Sequence, residues 1–262
     1  MQERAYLTQA LGKVGMVSRQ NPIPQSLPAI VEGNNVFAGN FVFAGTNSNQ
    51  VKGTATAGTT PEGVAIFNGL QVSLTAGNTL KINEGETIQK LISGCCYIPN
   101  NGLAPNYLDY VLVDPTTGKV NCSASSSQVA TAGKLYLPFA SETYTDYTGI
   151  TAGTLKLIVD GTAKDLTGLD FSSATSMSNV AGVITTALSS SATCAYTSGE
   201  GLTITSATTG ATSNVSFVEA SADLLALLGQ GTSIDGTNAM IDTGWKVLTI
   251  NNDLQAIEII KK

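Results

Sequence analysis

The sequence predicts a mainly β protein, namely an antiparallel β-barrel or sandwich with an inserted small α+β domain. Short apolar segments separated by turn signals recur about every ten residues up to residue 122, which is typical of barrels and sandwiches. A stripe of apolar residues at helical spacing interrupts this pattern between residues 150 and 236. Two strand-like segments follow it, and because two strands are not stable alone, we assign them to the first domain.

The predicted domains are an extended N-terminal arm (1–30), a β-barrel domain (31–149 plus 237–262) and an inserted α+β domain (150–236). In the arm, the prolines of NPIPQSLP (21–28) remove amide donors and disfavour helix, so this segment is not expected to form a central strand. We expect the arm to lie over its own domain or a neighbouring subunit, and a flexible tail is the alternative. The candidate partner-binding residues are Arg19, Ile23, Leu27 and Pro28.

The barrel domain consists of short predicted strands joined by turns. PNNG (99–102) and DPTTG (114–118) are turn sequences, and the second places Pro115 and Gly118 where a β-turn favours them. The Ser- and Ala-rich stretch 123–133 is interpreted as a long loop. The predicted strands of this domain cover 35–37, 41–43, 63–68, 79–82, 87–91, 95–98, 110–113, 119–122, 134–139, 244–250 and 256–260.

The inserted domain has the pattern of a ββαβββα unit. Asp160 and Gly161 predict a two-residue hairpin turn between the first two strands. Ser176 suits the N-cap of a helix, whose apolar stripe follows at four-residue spacing. That stripe consists of Val180, Ile184 and Leu188. The predicted strands cover 154–159, 162–166, 193–197, 201–206 and 214–219, and a second helix covers 223–228.

The composition argues against most catalytic and nucleic-acid-binding functions. Thirteen basic and 19 acidic side chains give a net charge of −6, only 12% of the residues are charged, and histidine is absent. Without histidine, Ser-His-Asp and Cys-His mechanisms cannot operate within this chain. The acidic balance and scattered lysines disfavour nucleic acid as a partner. We therefore expect no enzymatic activity and no cofactor.

The sequence shows no sign of membrane association. No window approaches the roughly 18 consecutive apolar residues of a spanning helix. The N-terminal sequence MQER does not begin a secretory signal either. A membrane is therefore not an expected partner.

Three other groups of residues have a functional interpretation beside a structural one. The four cysteines are interpreted as small buried side chains, and a Cys96–Cys122 disulfide is left open. Five tyrosines could bind sugar, although packing is favoured: Tyr107, Tyr110, Tyr136, Tyr144 and Tyr147. Four acidic residues could be drawn as a calcium site, although their spacing does not match an EF-hand loop: Asp160, Asp165, Asp170 and Glu200.

Several segments of the first domain resemble the head-decoration, or structural cement, proteins of tailed bacteriophages. The resembling segments are GKVGMVSR (12–19), VEGNNVFAGNFV (31–42), PEGVAIFN (61–68), EGETIQKLISGCCYI (84–98), VDPTTGKV (113–120) and GWKVLTINNDLQAIEI (244–259). This resemblance implies a barrel that clamps the outer capsid lattice as an oligomer.

The inserted domain resembles a different phage module, found in sheath-like tail proteins. The resembling segments are LKLIVDGTAKDLTGLDFSSATSMSNVAGVI (155–184), TSGEGLTITSATTGATSNVSF (197–217) and LLALLG (224–229). A sheath protein is a much larger chain, so we interpret the module as an outward-facing appendage.

Together these resemblances imply a non-enzymatic virion protein, foremost a capsid decoration protein that stabilises the head. The implied partners are the major capsid protein and further copies of this chain, with a trimer as the family-level expectation. The implied location is the outer surface of the capsid, after assembly in the host cytoplasm. The alternatives are another virion component (a tail, collar or head-fibre protein) or an adhesion module that binds a host surface or carbohydrate.

Overall fold

The structure is a computed structural model that describes residues 14–20, 22–33, 36–66, 73–74, 80–138, 142–251 and 255–262. The chain divides into two compact units. The barrel unit comprises Met1–Gln128 and Ala239–Lys262, and the inserted unit comprises Val129–Asn238. Residues 1–13 of the predicted arm lie outside the described residues.

Strands dominate both units, so the prediction of a mainly β chain is confirmed. The strands before residue 124 are β1 (Val17–Arg19), β2 (Gln25–Val31), β3 (Val36–Phe37), β4 (Phe41–Ala44), β5 (Gln50–Lys52), β6 (Gly63–Ile66), β7 (Ser73–Leu74), β8 (Leu80–Ile82), β9 (Thr87–Pro99), β10 (Tyr110–Val113) and β11 (Val120–Ser123).

The remaining strands and the helices follow after residue 133. The strands are β12 (Lys134–Leu137), β13 (Gly153–Val159), β14 (Thr162–Leu169), β15 (Ala192–Thr197), β16 (Gly201–Ser206), β17 (Val215–Ala220), β18 (Thr232–Ile234), β19 (Ile241–Asn251) and β20 (Ala256–Lys261). The helices are α1 (Met177–Leu188) and α2 (Ala222–Leu228), and a 3-10 turn covers Tyr144–Asp146.

The barrel unit contains a closed barrel of five strands. β9 pairs with β2, β2 with β5, β5 with β4, β4 with β6, and β6 pairs with β9 again. The pair of β2 and β5 is parallel, and the other four pairs are antiparallel. A further row of strands, β11-β10-β19-β20, joins the barrel where β20 pairs with β9. β3, β8 and β7 form a separate small sheet.

β9 is shared by the barrel and the further row of strands. Its residues up to Ser93 pair with β2 and β6, and its residues from Gly94 onward pair with β20. The sequence predicts two strands here, 87–91 and 95–98, but the structure has one strand that continues through Gly94. Gly94 has a φ of +117°, and a Cβ added there would lie 2.9 Å from the Cα of Pro24.

Strands β4 and β6 of the barrel are buried on both faces, in two separate apolar clusters. In β4, Phe41 and Phe43 belong to one cluster, whereas Val42 between them belongs to the other. Because side chains alternate between the two faces of a strand, β4 separates the two clusters. Trp245 and Ile259 bring β19 and β20 into the cluster of Phe41. Strands buried on both faces show continuous apolar runs, which explains the FVF sequence.

Residues 25–30, which the sequence assigns to the arm, form strand β2 of the barrel together with Val31. This correction has a physical reason, since β5 pairs with β2 only at Ile30 and Val31. Among the described strands, β9 is the sole partner of residues 25–29, which therefore lie on an edge. An edge accepts proline, so Pro28 does not exclude this segment from the sheet.

The inserted unit consists of two sheets and two helices around one apolar core. The sheets are β14-β13-β17 and β15-β16-β12-β18, and α1 packs against β14 and β15. Thr185 fixes α1 to β15, because its Oγ1 accepts a hydrogen bond from the Cys194 amide (2.8 Å) and donates one to the Cys194 carbonyl (3.0 Å). The fully buried side chains of this core include Leu135, Leu137, Tyr147, Leu155 and Phe171.

The inserted unit begins earlier than the sequence predicts, at Val129 instead of residue 150. The strand predicted at 134–139 was assigned to the barrel domain, but β12 pairs with β16 and β18 of the inserted unit. Its alternating apolar residues predict a strand but contain no information about which sheet the strand joins. Phe139 lies outside the described residues. The predicted loop 123–133 contains two isolated bridges, Gln128–Met240 and Thr131–Thr237.

Local signals in the inserted unit are confirmed. Asp160 and Gly161 both have positive φ, 50° and 76°, as a two-residue hairpin turn requires. Ser176 is the N-cap of α1, and its side chain accepts a hydrogen bond from the Asn179 amide (3.2 Å). Gly229 ends α2 with a φ of +68°.

Replacing Gly94 by alanine should destabilise the protein more than replacing Gly85. At Gly94 a side chain is both conformationally strained and in collision with Pro24, whereas at Gly85 (φ +82°) an added Cβ meets no atom within 4 Å. We expect Gly85→Ala to cost about 1–2 kcal/mol of unfolding free energy and Gly94→Ala clearly more, as measured by chemical denaturation. Equal losses of unfolding free energy in the two variants would show that the collision with Pro24 does not destabilise the Gly94→Ala variant.

Candidate partner-binding surface

Three of the four candidate residues lie on one exposed segment, residues 22–28, which we call the open-edge segment. It leads into β2 and includes its first four residues, Gln25 to Pro28, all of which are exposed although they form a strand. Ile23 is 80% exposed and Leu27 is 50% exposed. The segment has no charged side chain. Its chemistry is therefore apolar and uncharged, which suits burial against another protein surface.

The amide and carbonyl groups of successive residues in β2 point alternately to its two edges. This alternation determines which groups lie at the open edge, the edge of residues 25–29 that does not pair with β9. The Ile30 amide donates to the carbonyl of the residue before β5 (2.8 Å), whereas the Val31 amide donates to the Glu86 carbonyl beside β9 (2.9 Å). Because successive residues of a strand direct these groups to opposite edges, Ser26 and Pro28 point to the same edge as Ile30. Proline has no amide hydrogen, so it interrupts the row of donors at that edge.

The open edge is therefore poorly suited to the addition of a partner strand. From residue 26 to residue 29, it presents two carbonyls but a single amide, that of Ser26. Strand addition depends on a regular row of both groups. The side chains of Ile23 and Leu27 are the better source of binding energy, because a fully buried side chain of this size contributes about 1.5–3 kcal/mol.

The fourth candidate, Arg19, forms an internal ion pair before the open-edge segment begins. Its Nε donates to Oε1 of Glu258 (2.7 Å) and its Nη2 donates to Oε2 (2.8 Å). The Glu258 side chain is only 2% exposed, whereas Arg19 is 55% exposed. This bidentate pair joins β1 to β20 across 239 positions of sequence. Arg19 therefore holds the start of the surface in place.

The Arg19 pair also controls the ionisation of Glu258. Burial opposes the charged form, but the hydrogen bonding of Arg19, the neighbouring Ser18 and the positive charge of Arg19 together outweigh it, so the pKa of Glu258 lies below its ordinary value of 4.5. The same contact raises the pKa of Arg19. Both groups are therefore charged at neutral pH.

The four cysteines are free, so the alternative of a Cys96–Cys122 disulfide is wrong. Burial raises the pKa of Cys122 and of Cys194 to about 12, and it also raises that of Cys96. Thiols with such pKa values stay protonated at neutral pH and are poor nucleophiles. The cysteines therefore serve as packing side chains.

The five tyrosines are divided between the two units. Tyr107 (69% exposed) and Tyr110 belong to the barrel unit, and the other three belong to the inserted unit. The ring of Tyr110 lies beneath the ammonium of Lys246, whose Nζ is 2.8 Å from the ring centroid. Tyr147 is buried and packs edge-to-face against Phe171, with 6.0 Å between ring centroids.

Asp160 is engaged in local hydrogen bonds and does not take part in a calcium site. Its Oδ2 accepts from the hydroxyls of Ser206 (2.7 Å) and Thr208 (2.8 Å), and its Oδ1 accepts from the Asn214 amide (2.9 Å). These bonds fix the loop between β16 and β17 to the β13–β14 turn. Within the described part of the chain, no group of three acidic or cysteine side chains could hold a metal ion.

The two units differ sharply in charge. The inserted unit contains nine acidic and three basic side chains, which gives a formal charge of −6, whereas the barrel unit contains ten of each. Eight of the nine acidic side chains are exposed, with Asp160 as the exception. In the barrel unit, Asp109, Asp114 and Glu258 are buried. The uncharged open-edge segment therefore belongs to the electrically neutral unit.

Exposed apolar side chains also occur at positions that the sequence did not single out. Apolar residues are common in both cores and surfaces, so the sequence pattern alone could not separate these from core residues. They are Leu108 in the barrel unit and Val129, Ile158, Val218 and Ile234 in the inserted unit. None of the helices in the described ranges is long and apolar enough to cross a membrane.

Comparison with known proteins identifies the class of the inserted unit. Residues 130–239 match the family model of the insert domain of the E217 tail sheath protein gp31. The match coincides with the inserted unit, Val129–Asn238, to within one residue at each end. It supports a structural protein of a bacteriophage, with a place in the virion. No curated protein matches the chain.

Replacing Arg19 by alanine should destabilise the protein by about 2 kcal/mol near neutral pH. The loss lies between that of a surface pair and that of a buried pair, because Arg19 is half exposed while Glu258 is buried. The folded-state pKa of Glu258 is lowered, so its contribution to stability is present above about pH 4.5 and is lost as the pH falls through the folded-state pKa. The destabilisation should therefore shrink on acidification.

Denaturant unfolding of wild type, Arg19→Ala and Arg19→Lys across this pH range measures the effect. Arg19→Lys keeps the charge but not the bidentate geometry, and we expect it to be intermediate. A loss in Arg19→Ala that stays constant from neutral to acidic pH would show that the ion pair is not its cause.

Proposed function

We propose that the protein is a non-enzymatic capsid decoration protein that binds the major capsid protein through the open-edge segment and stabilises the phage head. In this proposal the protein sits on the outer surface of the capsid as a homo-oligomer. The observation that carries it is the exposed apolar strand edge, with Ile23 and Leu27, on a barrel unit of zero formal charge. An apolar surface of this kind binds protein without the desolvation of charges.

The charge of the inserted unit also supports a proposal in which the barrel unit contacts the capsid. Net charge far from zero favours solvation and disfavours close association, so a unit of charge −6 is suited to remain in solvent. The neutral barrel unit is suited to contact a protein lattice. Many copies on a lattice would bind by avidity, which makes a short contact segment sufficient. Nucleic acid and membrane have no place as partners in this proposal.

A tail component is the second candidate, and one observation favours it. The family model that matches residues 130–239 describes a domain of a tail sheath protein. In this alternative the inserted unit would be located on the tail, like the sheath-protein domain that it matches, and the barrel unit would attach it there. An adhesion role is less favoured, because Tyr147 is buried and the ring of Tyr110 is occupied by Lys246.

Copy number in separated heads and tails distinguishes the two candidates. Particles that contain the protein would be dissociated into heads and tails, and the protein would be quantified by mass spectrometry against the major capsid protein. Decoration predicts that it is found with heads, at a copy number comparable to that of the major capsid protein. Its recovery with tails, or at a few copies per head, would contradict decoration.

Replacing Ile23 and Leu27 together by serine should weaken capsid binding without unfolding the protein. Both side chains are largely exposed, so their loss should leave the melting temperature nearly unchanged. Each should contribute roughly tenfold to affinity if it is buried on binding. Binding is measured by co-sedimentation with heads that lack the protein, and stability is measured by thermal unfolding.

Tyr107→Ser is the matched control, because Tyr107 is an exposed apolar residue of the same unit outside the open-edge segment. We expect it to bind heads like the wild type. A double variant that binds heads normally, or one that loses binding only because it unfolds, would contradict the assignment of the open-edge segment as the contact.

A further inference from the structure

The turn between β9 and β10 contains an Asn-Gly pair, Asn101 and Gly102, in the PNNG sequence. From its geometry we infer that Asn101 is a site of spontaneous deamidation, at which the folded protein converts to aspartate and isoaspartate forms. This modification needs no enzyme and no partner. It does not depend on the proposed function.

The turn leaves the reacting groups of Asn101 and Gly102 accessible. Both residues are exposed, and no described residue forms a hydrogen bond with the Asn101 carboxamide or the Gly102 amide. Gly102 has a φ of +84°, and an ideal Cβ built there meets no atom within 4 Å. Neighbouring residues therefore do not crowd Gly102 on that side.

The neighbouring Asn100 is held in a different way, although it is also in the turn. Its amide donates to the Gln255 carbonyl (2.7 Å), and its Oδ1 accepts from the Leu103 amide (2.7 Å). The side chain that would have to rotate toward the next amide is thus fixed. Of the two adjacent asparagines, Asn100 is therefore restrained by hydrogen bonds, whereas the side chain of Asn101 can rotate toward the next amide.

The reaction consists of ring closure and hydrolysis. The Gly102 amide loses its proton to a solvent base, and its nitrogen attacks Cγ of Asn101, so that a new C–N bond forms. The former side-chain amide leaves as ammonia after taking up a proton from solvent, and a five-membered succinimide remains. One water molecule then opens either carbonyl of the ring. Opening at one carbonyl gives aspartate, and opening at the other gives isoaspartate, without any oxidation or reduction.

The products change the barrel unit in two ways. Each conversion adds one negative charge to a unit whose formal charge is zero. The isoaspartate form also adds a methylene group to the main chain in the turn that follows β9. Since the turn is exposed, we expect the fold to persist in both forms.

Timed incubation of the full chain at neutral and alkaline pH tests the inference. Trypsin releases the peptide between Lys90 and Lys119, in which mass spectrometry locates the conversion and distinguishes Asn101 from Asn100. We expect Asn101 to convert with time, faster at alkaline pH, with isoaspartate among the products, while Asn100 stays intact. A synthetic peptide of residues 97–107 provides the rate of Asn101 conversion in an unfolded chain.

Two variants serve as controls for the ring-closure route. Asn101→Gln should stop the conversion at this position, because its side chain would have to close a larger ring. Gly102→Ala should slow it, because a Cβ hinders the approach of the amide. If Asn101 stays intact in the folded protein while the synthetic peptide converts, the fold protects it and the inference is wrong. Equal conversion of Asn100 and Asn101 in the folded protein would also overturn it.

Discussion

The pairing of β9 on both of its edges is the constraint on which the barrel unit depends. One strand of 13 residues closes the five-stranded barrel through β2 and β6, and its second half receives β20 and β1. The pairing of β9 changes from β2 to β20 at Gly94, where a side chain would collide with Pro24. The position of β2 follows from the same strand, since residues 25–29 are held in the sheet by β9. The exposed surface at Ile23 and Leu27 is thus a consequence of how β9 is shared.

Local sequence signals predicted most of the individual elements correctly. The Asp160-Gly161 turn, the Ser176 cap and the alternating strands depend on interactions within a few residues, and such interactions are visible in the sequence. The assignment of strands to sheets depends on contacts between distant residues. For that reason the sequence pattern predicts the wrong domain for β12. It also predicts two strands where the structure has the single strand β9.

The candidate site was predicted in part. The run of prolines correctly indicated a segment that does not lie in the interior of a sheet, and Ile23, Leu27 and Pro28 are all exposed. The sequence could not show that the segment is a strand edge, because β9 lies more than 60 positions further along the chain. Nor could it show that Arg19 pairs with Glu258, because no local pattern relates two residues 239 positions apart.

In the proposed function, the neutral barrel unit serves assembly and the acidic inserted unit is exposed to solvent. Imaging of intact particles at a resolution that shows side chains tests this division most directly. We expect density for the protein on the head, with residues 22–28 in contact with the major capsid protein. Density for the protein on the tail, or contact with the capsid through residues 129–238 in place of the open-edge segment, would contradict it.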